Sequence, residues 1–148
     1  MIQFLLVFNK QGKLRLTRWY STTKAHQKIA KNSIQMILNH QHGNIIEEQQ
    51  HKLIYKRYAS LYFCVGIEKN DNELLSMEIV HRYVECLDMY FGNVCELDLI
   101  YNFHTAYKCL DELMIGGMLH ETSKQKVIKS LMKSEQVERE LQIMEQTQ

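Results

Sequence analysis

Glu78-x-x-His81 places a carboxylate and an imidazole one helical turn apart, which is half of a carboxylate-bridged dimetal motif, but no second copy occurs in the chain. His81 and Glu85 share a helix face without forming the HExxH arrangement of zinc proteases, so these side chains read as solvated helix surface. His40-x-His42 would need two further ligands that the sequence does not place. Cys64, Cys86, Cys95 and Cys109 are separated by 22, 9 and 14 positions, so no CxxC pair exists to seed a zinc or redox site. Their apolar, periodic surroundings mark them as free buried thiols in a reducing compartment. There is no GxSxG elbow, no GxxxxGK[ST] phosphate loop and no GxGxxG fingerprint. No metal, no cofactor and no enzymatic activity are expected. The basic residues say more. Lys13 and Arg15 fall on one face of a strand, and Lys56 and Arg57 end another; the choice is between scattered surface charge and recognition of a carboxylate or phosphate beside an apolar groove, a task suited to Arg.

The elements that must hold these residues follow from periodicity. Ile2 to Phe8 carries bulky residues on both parities, the pattern of a strand covered on both faces. Asn9-Lys10-Gln11-Gly12-Lys13 supplies a turn, and Leu14, Leu16, Trp19 and Tyr20 continue as the second strand of a hairpin. Ser21, Thr22 and Thr23 offer caps to a helix running to about Asn39. A short strand is expected at Ile45 to Glu48, then strands at Lys52 to Tyr58 and Leu61 to Ile67, joined at Ala59-Ser60. From Glu73 the period turns helical, with Val80, Tyr83, Val84, Leu87, Tyr90 and Phe91 on one stripe and Gly92 as its stop. Asn93 with Glu96 three residues on reads as a capping box for a single helix that buries Leu97, Ile100, Phe103, Tyr107, Leu110 and Met114 before Gly116-Gly117 ends it. Thr122 or Ser123 caps a last helix that packs through Val127, Ile128 and Leu131. Beyond Lys133 the chain turns polar, with Val137, Leu141 and Met144 as its main apolar positions, and reads as a solvated or partner-docked helical tail.

This order describes an α+β domain, a five-stranded, mainly antiparallel sheet flanked by helices on both faces. At 148 residues, 45% of them hydrophobic, the chain can bury a real core as one domain, residues 1–133, followed by the tail, residues 134–148. Proline is absent, which speaks against proline-rich linkers and polyproline docking segments. A net charge of +1 removes the electrostatic case for nonspecific nucleic-acid binding. The longest apolar runs are about a third of the ~20 residues that a membrane-spanning helix needs. The run from Ile2 has no basic flank and no small-residue cleavage pattern, so it does not read as a signal peptide.

Several longer phrases are more specific. Lys56-Arg57-Tyr58-Ala59-Ser60-Leu61-Tyr62-Phe63-Cys64, Asn70-Asp71-Asn72-Glu73-Leu74, His81-Arg82-Tyr83-Val84-Glu85 and Tyr90-Phe91-Gly92-Asn93-Val94-Cys95-Glu96-Leu97-Asp98 follow one another in order. Gly12-Lys13-Leu14-Arg15-Leu16 and Trp19-Tyr20 precede them, and Leu110-Asp111-Glu112, Gly116-Gly117 and Glu121-Thr122-Ser123-Lys124 follow. Together they resemble the small (sigma) subunit of clathrin adaptor protein complexes over nearly the whole chain to about Lys133, and most nearly the type found in the trans-Golgi and endosomal complex. The resemblance implies a longin-like (SNARE-like) fold and no enzyme activity. It also implies a place against one large adaptin, in a heterotetramer completed by a second large and a medium subunit. Such a complex is cytoplasmic and peripheral on trans-Golgi network and endosome membranes and clathrin-coated vesicles, reaching clathrin and membrane through its partners. Its small subunit helps read the acidic dileucine signal [DE]xxxL[LI] in cargo tails. Carried over to this sequence, the dileucine pockets would be lined by Ala59, Leu61, Val84, Asn93 and Val94, with Leu97 and Leu99 behind them, and Arg15 would meet the acidic residue. The alternative within the same fold is a longin-type trafficking regulator, a tethering or SNARE-like chain that reads no peptide.

Overall fold

The computed structural model describes residues 1–115, 118–119 and 124–147. Strands β1 (Ile2–Asn9) and β2 (Leu14–Trp19) form the first hairpin, followed by α1 (His26–Asn39), β3 (Ile45–Glu47), β4 (His51–Tyr58) and β5 (Leu61–Glu68). The C-terminal half holds α2 (Glu73–Phe91), α3 (Glu96–Tyr101), α4 (Phe103–Leu113), the two-residue strands β6 (Met114–Ile115) and β7 (Met118–Leu119), and α5 (Lys124–Gln146). The main sheet runs β2-β1-β5-β4-β3, with every pairing antiparallel. The two edges are therefore β2 and β3, and β1 lies inside the sheet, as its unbroken apolar run requires.

Alternation along β1 sends Phe4, Leu6 and Phe8 to one face, where they meet Ala30, Ile34 and Ile37 of α1. Leu5 and Val7 point to the other, against Tyr83, Val84 and Leu87 of α2 and Ala106 and Leu110 of α4. Helices thus cover both faces, as expected of the α+β class. Gly66 of β5 has a packing reason to be glycine, since a Cβ there would lie 2.2 Å from the Phe4 ring. Tyr83 is fully buried and donates its hydroxyl to the Ala106 carbonyl at 2.8 Å, clamping α2 to α4. Lys108 of α4 pairs with Glu138 at 2.5 Å, so the second half of α5 is tied to the body, and α5 runs unbroken through position 133. Val137, Leu141, Ile143 and Met144 are exposed.

Three local expectations are corrected. The first helix starts at His26 without a side-chain cap, Thr23 instead accepting from the Ala25 N–H at 3.4 Å. The helix expected from Asn93 to Met114 is two helices broken at Asn102, whose backbone (φ −126°, ψ 41°) is not helical. Its first cap is Cys95, with Asp98 as the reciprocal partner, because Asn93 takes a left-handed φ of 68° and closes the preceding loop. The stripe shifts with the break: Leu99, Ala106, Cys109, Leu110 and Leu113 are buried, while Leu97, Ile100 and Phe103 are exposed. Gly116-Gly117 and the Thr122 or Ser123 cap lie outside the described residues, as do the side chains of Val127 and Ile128.

Candidate functional site

Arg15 sits on the edge strand β2 and reaches across to α3. Its Nε and one terminal nitrogen both meet Glu96 Oε1, at 2.7 and 2.6 Å. The same oxygen accepts from Asn9 Nδ2 at 2.8 Å. Asn9 is buried, and its own Oδ1 accepts from the backbone N–H groups of Gln11 (3.0 Å) and Lys13 (2.9 Å), shaping the turn of the first hairpin. Gly12, at φ 81°, supplies the left-handed residue that this turn requires. One asparagine therefore fixes the hairpin and fastens it to α3. The Asn9 amide and the Arg15 guanidinium hold the Glu96 carboxyl below the usual carboxylate range. Arg15 and Glu96 keep 20% and 25% of their side-chain surface open to solvent.

Asn9 also faces Leu61 across the β1–β5 pairing, so the charged cluster borders an apolar one. Leu61, Val84, Val94 and Leu99 belong to a single buried cluster, each at most 2% exposed. Ala59, Asn93 and Leu97 lie at the surface, Leu97 with 59% exposure. Ala59 is the first residue of the two-residue turn between β4 and β5 and holds a left-handed φ of 53°, a strained state for a residue with a Cβ. The structure thus places four of the resemblance-derived pocket residues together in the core, three at the surface, and Arg15 on a carboxylate of its own chain.

Asp88, which the sequence did not single out, organises the loop that carries Asn93 and Val94. Its Oδ1 accepts from Tyr58 Oη (2.6 Å) and from the Val94 N–H (3.1 Å), and its carbonyl accepts from the Gly92 and Asn93 N–H groups. The bond to Asp88 is the main reason that the Tyr58 phenol is shifted up. The α2–α3 loop is by this means tied to the end of β4 beside Ala59. An acidic residue closing a helix C-terminus offers no local pattern; only its partner thirty residues away gives it a role.

The other candidates disperse. Glu78 pairs with Arg82 (2.7 Å), and His81 lies between Lys56 (2.9 Å) and Glu85 (2.5 Å) on the exposed side of α2. Lys56, Glu78 and His81 rim a cavity of about 490 Å³ floored by Ile54, Met77 and Val80. His40 meets Tyr55 Oη at 2.9 Å and so helps fasten the α1–β3 loop. Arg57 stacks over the Tyr62 ring. No group of three metal-binding side chains occurs among the described residues. Cys64, Cys86 and Cys109 are buried, and burial pushes the Cys64 thiol well up; Cys95, expected inside, is exposed because it caps α3 at the surface.

A family model described as the clathrin adaptor complex small chain matches residues 1–138. The chain is 54% identical over 142 residues to AP-1 complex subunit sigma-3 of Mus musculus, an alignment covering 93% of this chain and 92% of that protein. To AP-1 complex subunit sigma-1 of Arabidopsis thaliana it is 52% identical over 141 residues, covering 93% and 88%. In three dimensions it matches a chain of a full-length AP-3 complex assembly described as a homology model in a stretched open conformation. That match has a TM-score of 0.74 at 25% identity and covers 97% of this chain and 99% of that one.

Proposed function

This chain belongs to the clathrin adaptor complex small chain family, and from that premise we propose that it reads acidic dileucine signals, [DE]xxxL[LI], in the cytosolic tails of membrane cargo. As the small subunit of an adaptor complex it is a trafficking protein and not an enzyme. The observation that carries the peptide-reading role is the juxtaposition described above. Arg15 is held at the edge of α3 by Glu96, and Asn9, which anchors Glu96, pairs with Leu61 of the apolar cluster. In this reading Leu61, Val84, Val94 and Leu99 form the floor, Ala59, Asn93 and Leu97 the rim, and Arg15 the contact for the acid.

The energetics fit a sorting signal. Two buried leucines contribute up to about 1.5–3 kcal/mol each before the costs of ordering the tail, so binding is modest and depends on avidity at a membrane. An extended peptide advances about 3.3 Å per residue, so an acid four residues before the first leucine lies about 13 Å away, within reach of a cation outside the apolar site. The working unit is a heterotetramer in which this chain sits against one large adaptin, with a second large and a medium subunit completing it; the sigma names of its relatives support that reading. Those names favour the trans-Golgi network and endosomes as the membranes served. No described helix is long and apolar enough to cross a membrane, in keeping with peripheral attachment through partners. In this reading residues 1–133 carry the site and residues 134–148 are its C-terminal tail.

Titration of an acidic dileucine peptide into the purified complex tests this reading. Leu97→Ser removes an exposed side chain worth about 1 kcal/mol of contact, so it weakens binding roughly fivefold without loss of assembly. Replacing both peptide leucines by alanine abolishes binding. Full binding by the alanine peptide, or recovery of the chain with a tether or SNARE bundle in place of adaptins, contradicts the proposal. Val84 is a poor probe, because at 2% exposure an aspartate there puts an unpaired carboxylate in the core.

A further inference from the structure

Both nitrogens through which Arg15 meets Glu96 converge on one oxygen, and that oxygen has a second, independent donor in Asn9. The Glu96 pair is partly open to solvent, with 20% and 25% of the two side chains accessible. An incoming carboxylate offers the guanidinium the same charge-assisted hydrogen bonds that Glu96 gives it, so exchanging one for the other changes little in net energy. Glu96 is not stranded by the exchange, because Asn9, locked by the hairpin turn, keeps donating to it. The result is a charge switch between two arrangements, Arg15 on Glu96 or Arg15 on a ligand's acid, with Asn9 as the fixed point of both.

We propose that Glu96 is a built-in competitor for Arg15, a specificity-determining residue that the acidic residue of an incoming peptide must displace. The inference rests on the dileucine reading above and deepens it. Because one ion pair is exchanged for another, the peptide's acid adds little net affinity in the native complex, and selection falls mainly on the leucines. Binding and release are thereby buffered: an acid tips the balance without fixing the peptide in place.

A double-mutant cycle on the purified heterotetramer tests the idea, using an acidic dileucine peptide and its Glu→Gln counterpart. Glu96→Gln keeps an oxygen for Asn9 but surrenders the charge. It is expected to tighten the acidic peptide roughly three- to fivefold while leaving the Gln peptide unchanged, so the acid's contribution grows by the same factor. Equal or weaker binding of the acidic peptide would falsify the competitor role and make Glu96 a positioning residue for Arg15. If Glu96→Gln lowers the melting temperature of the complex, Glu96→Asp takes its place. That variant keeps the charge but shortens the reach to Arg15, and tighter binding of the acidic peptide is again expected, with no change overturning the idea. Failure of the underlying reading looks different, since the native complex would then bind the dileucine and dialanine peptides alike.

Discussion

Replacing Asn9 by alanine removes one residue from the interior of the sheet, yet severs three connections. Two are the hairpin bonds from the Gln11 and Lys13 N–H groups, and the third is the 2.8 Å bond to Glu96. The turn amides lie near solvent and recover water, so their loss costs about 0.5 kcal/mol each, while the bond to a carboxylate is worth about 1.5 kcal/mol. The expected destabilisation is about 2.5 kcal/mol, or roughly 5–10 °C in Tm for a domain of this size. Thermal unfolding followed by circular dichroism measures it, and amide exchange at Gln11 and Lys13 localises it. Asn9→Asp separates the two halves. It keeps the oxygen that shapes the turn but replaces the donor with a second carboxylate facing Glu96, so the turn amides stay protected while stability still falls. Adding Glu96→Gln, whose amide can donate to the new carboxylate, restores much of that loss. A Tm change below about 2 °C for Asn9→Ala, or no rescue in the double variant, would refute Asn9 as the link between hairpin and α3.

Two further consequences concern stability. The Tyr20 hydroxyl is pushed up to about 12, first by burial and next by the Asp111 carboxylate. A folded value raised above the ordinary 10.0 leaves stability intact below that pH and loses it as pH rises through about 12; Tyr20→Phe therefore flattens the alkaline loss between urea midpoints measured near pH 9 and pH 11.5. Gly66→Ala drives a methyl to 2.2 Å from the Phe4 ring and costs about 1–3 kcal/mol by overpacking, visible as a lower urea midpoint at unchanged slope.

Period and punctuation made the five strands and the helices α1, α2 and α5 legible; β1, β4, β5, α1 and α2 each bury a face against the rest of the same chain. The stretch from Asn93 to Met114 misled for the opposite reason. Leu97, Ile100 and Phe103 repeat at helical spacing but are exposed, whereas the close approach of α4 to α2 uses small residues, Ala106 and Cys109, that carry a weak hydrophobic signal. Lys13 and Arg15 read from the sequence as a basic strand face. Glu96 reads from the sequence only as half of a capping box; its pairing with Arg15 spans 81 positions, and only the fold brings the two together. Asp88 escaped notice on the same grounds, its work being to bind the Tyr58 hydroxyl across thirty residues. Local patterns report elements, and pairing between elements has to be seen in space.

The most direct test is to locate the peptide. An acidic dileucine peptide whose first leucine is replaced by a photoactivatable leucine analogue is cross-linked to the purified complex, and the attachment sites are read by mass spectrometry. Adducts are expected in the segments 59–61, 84 and 93–99 of this chain, all lost in competition with unlabelled peptide. Competable adducts confined to the α1 face, or to the other subunits, would contradict the proposed site.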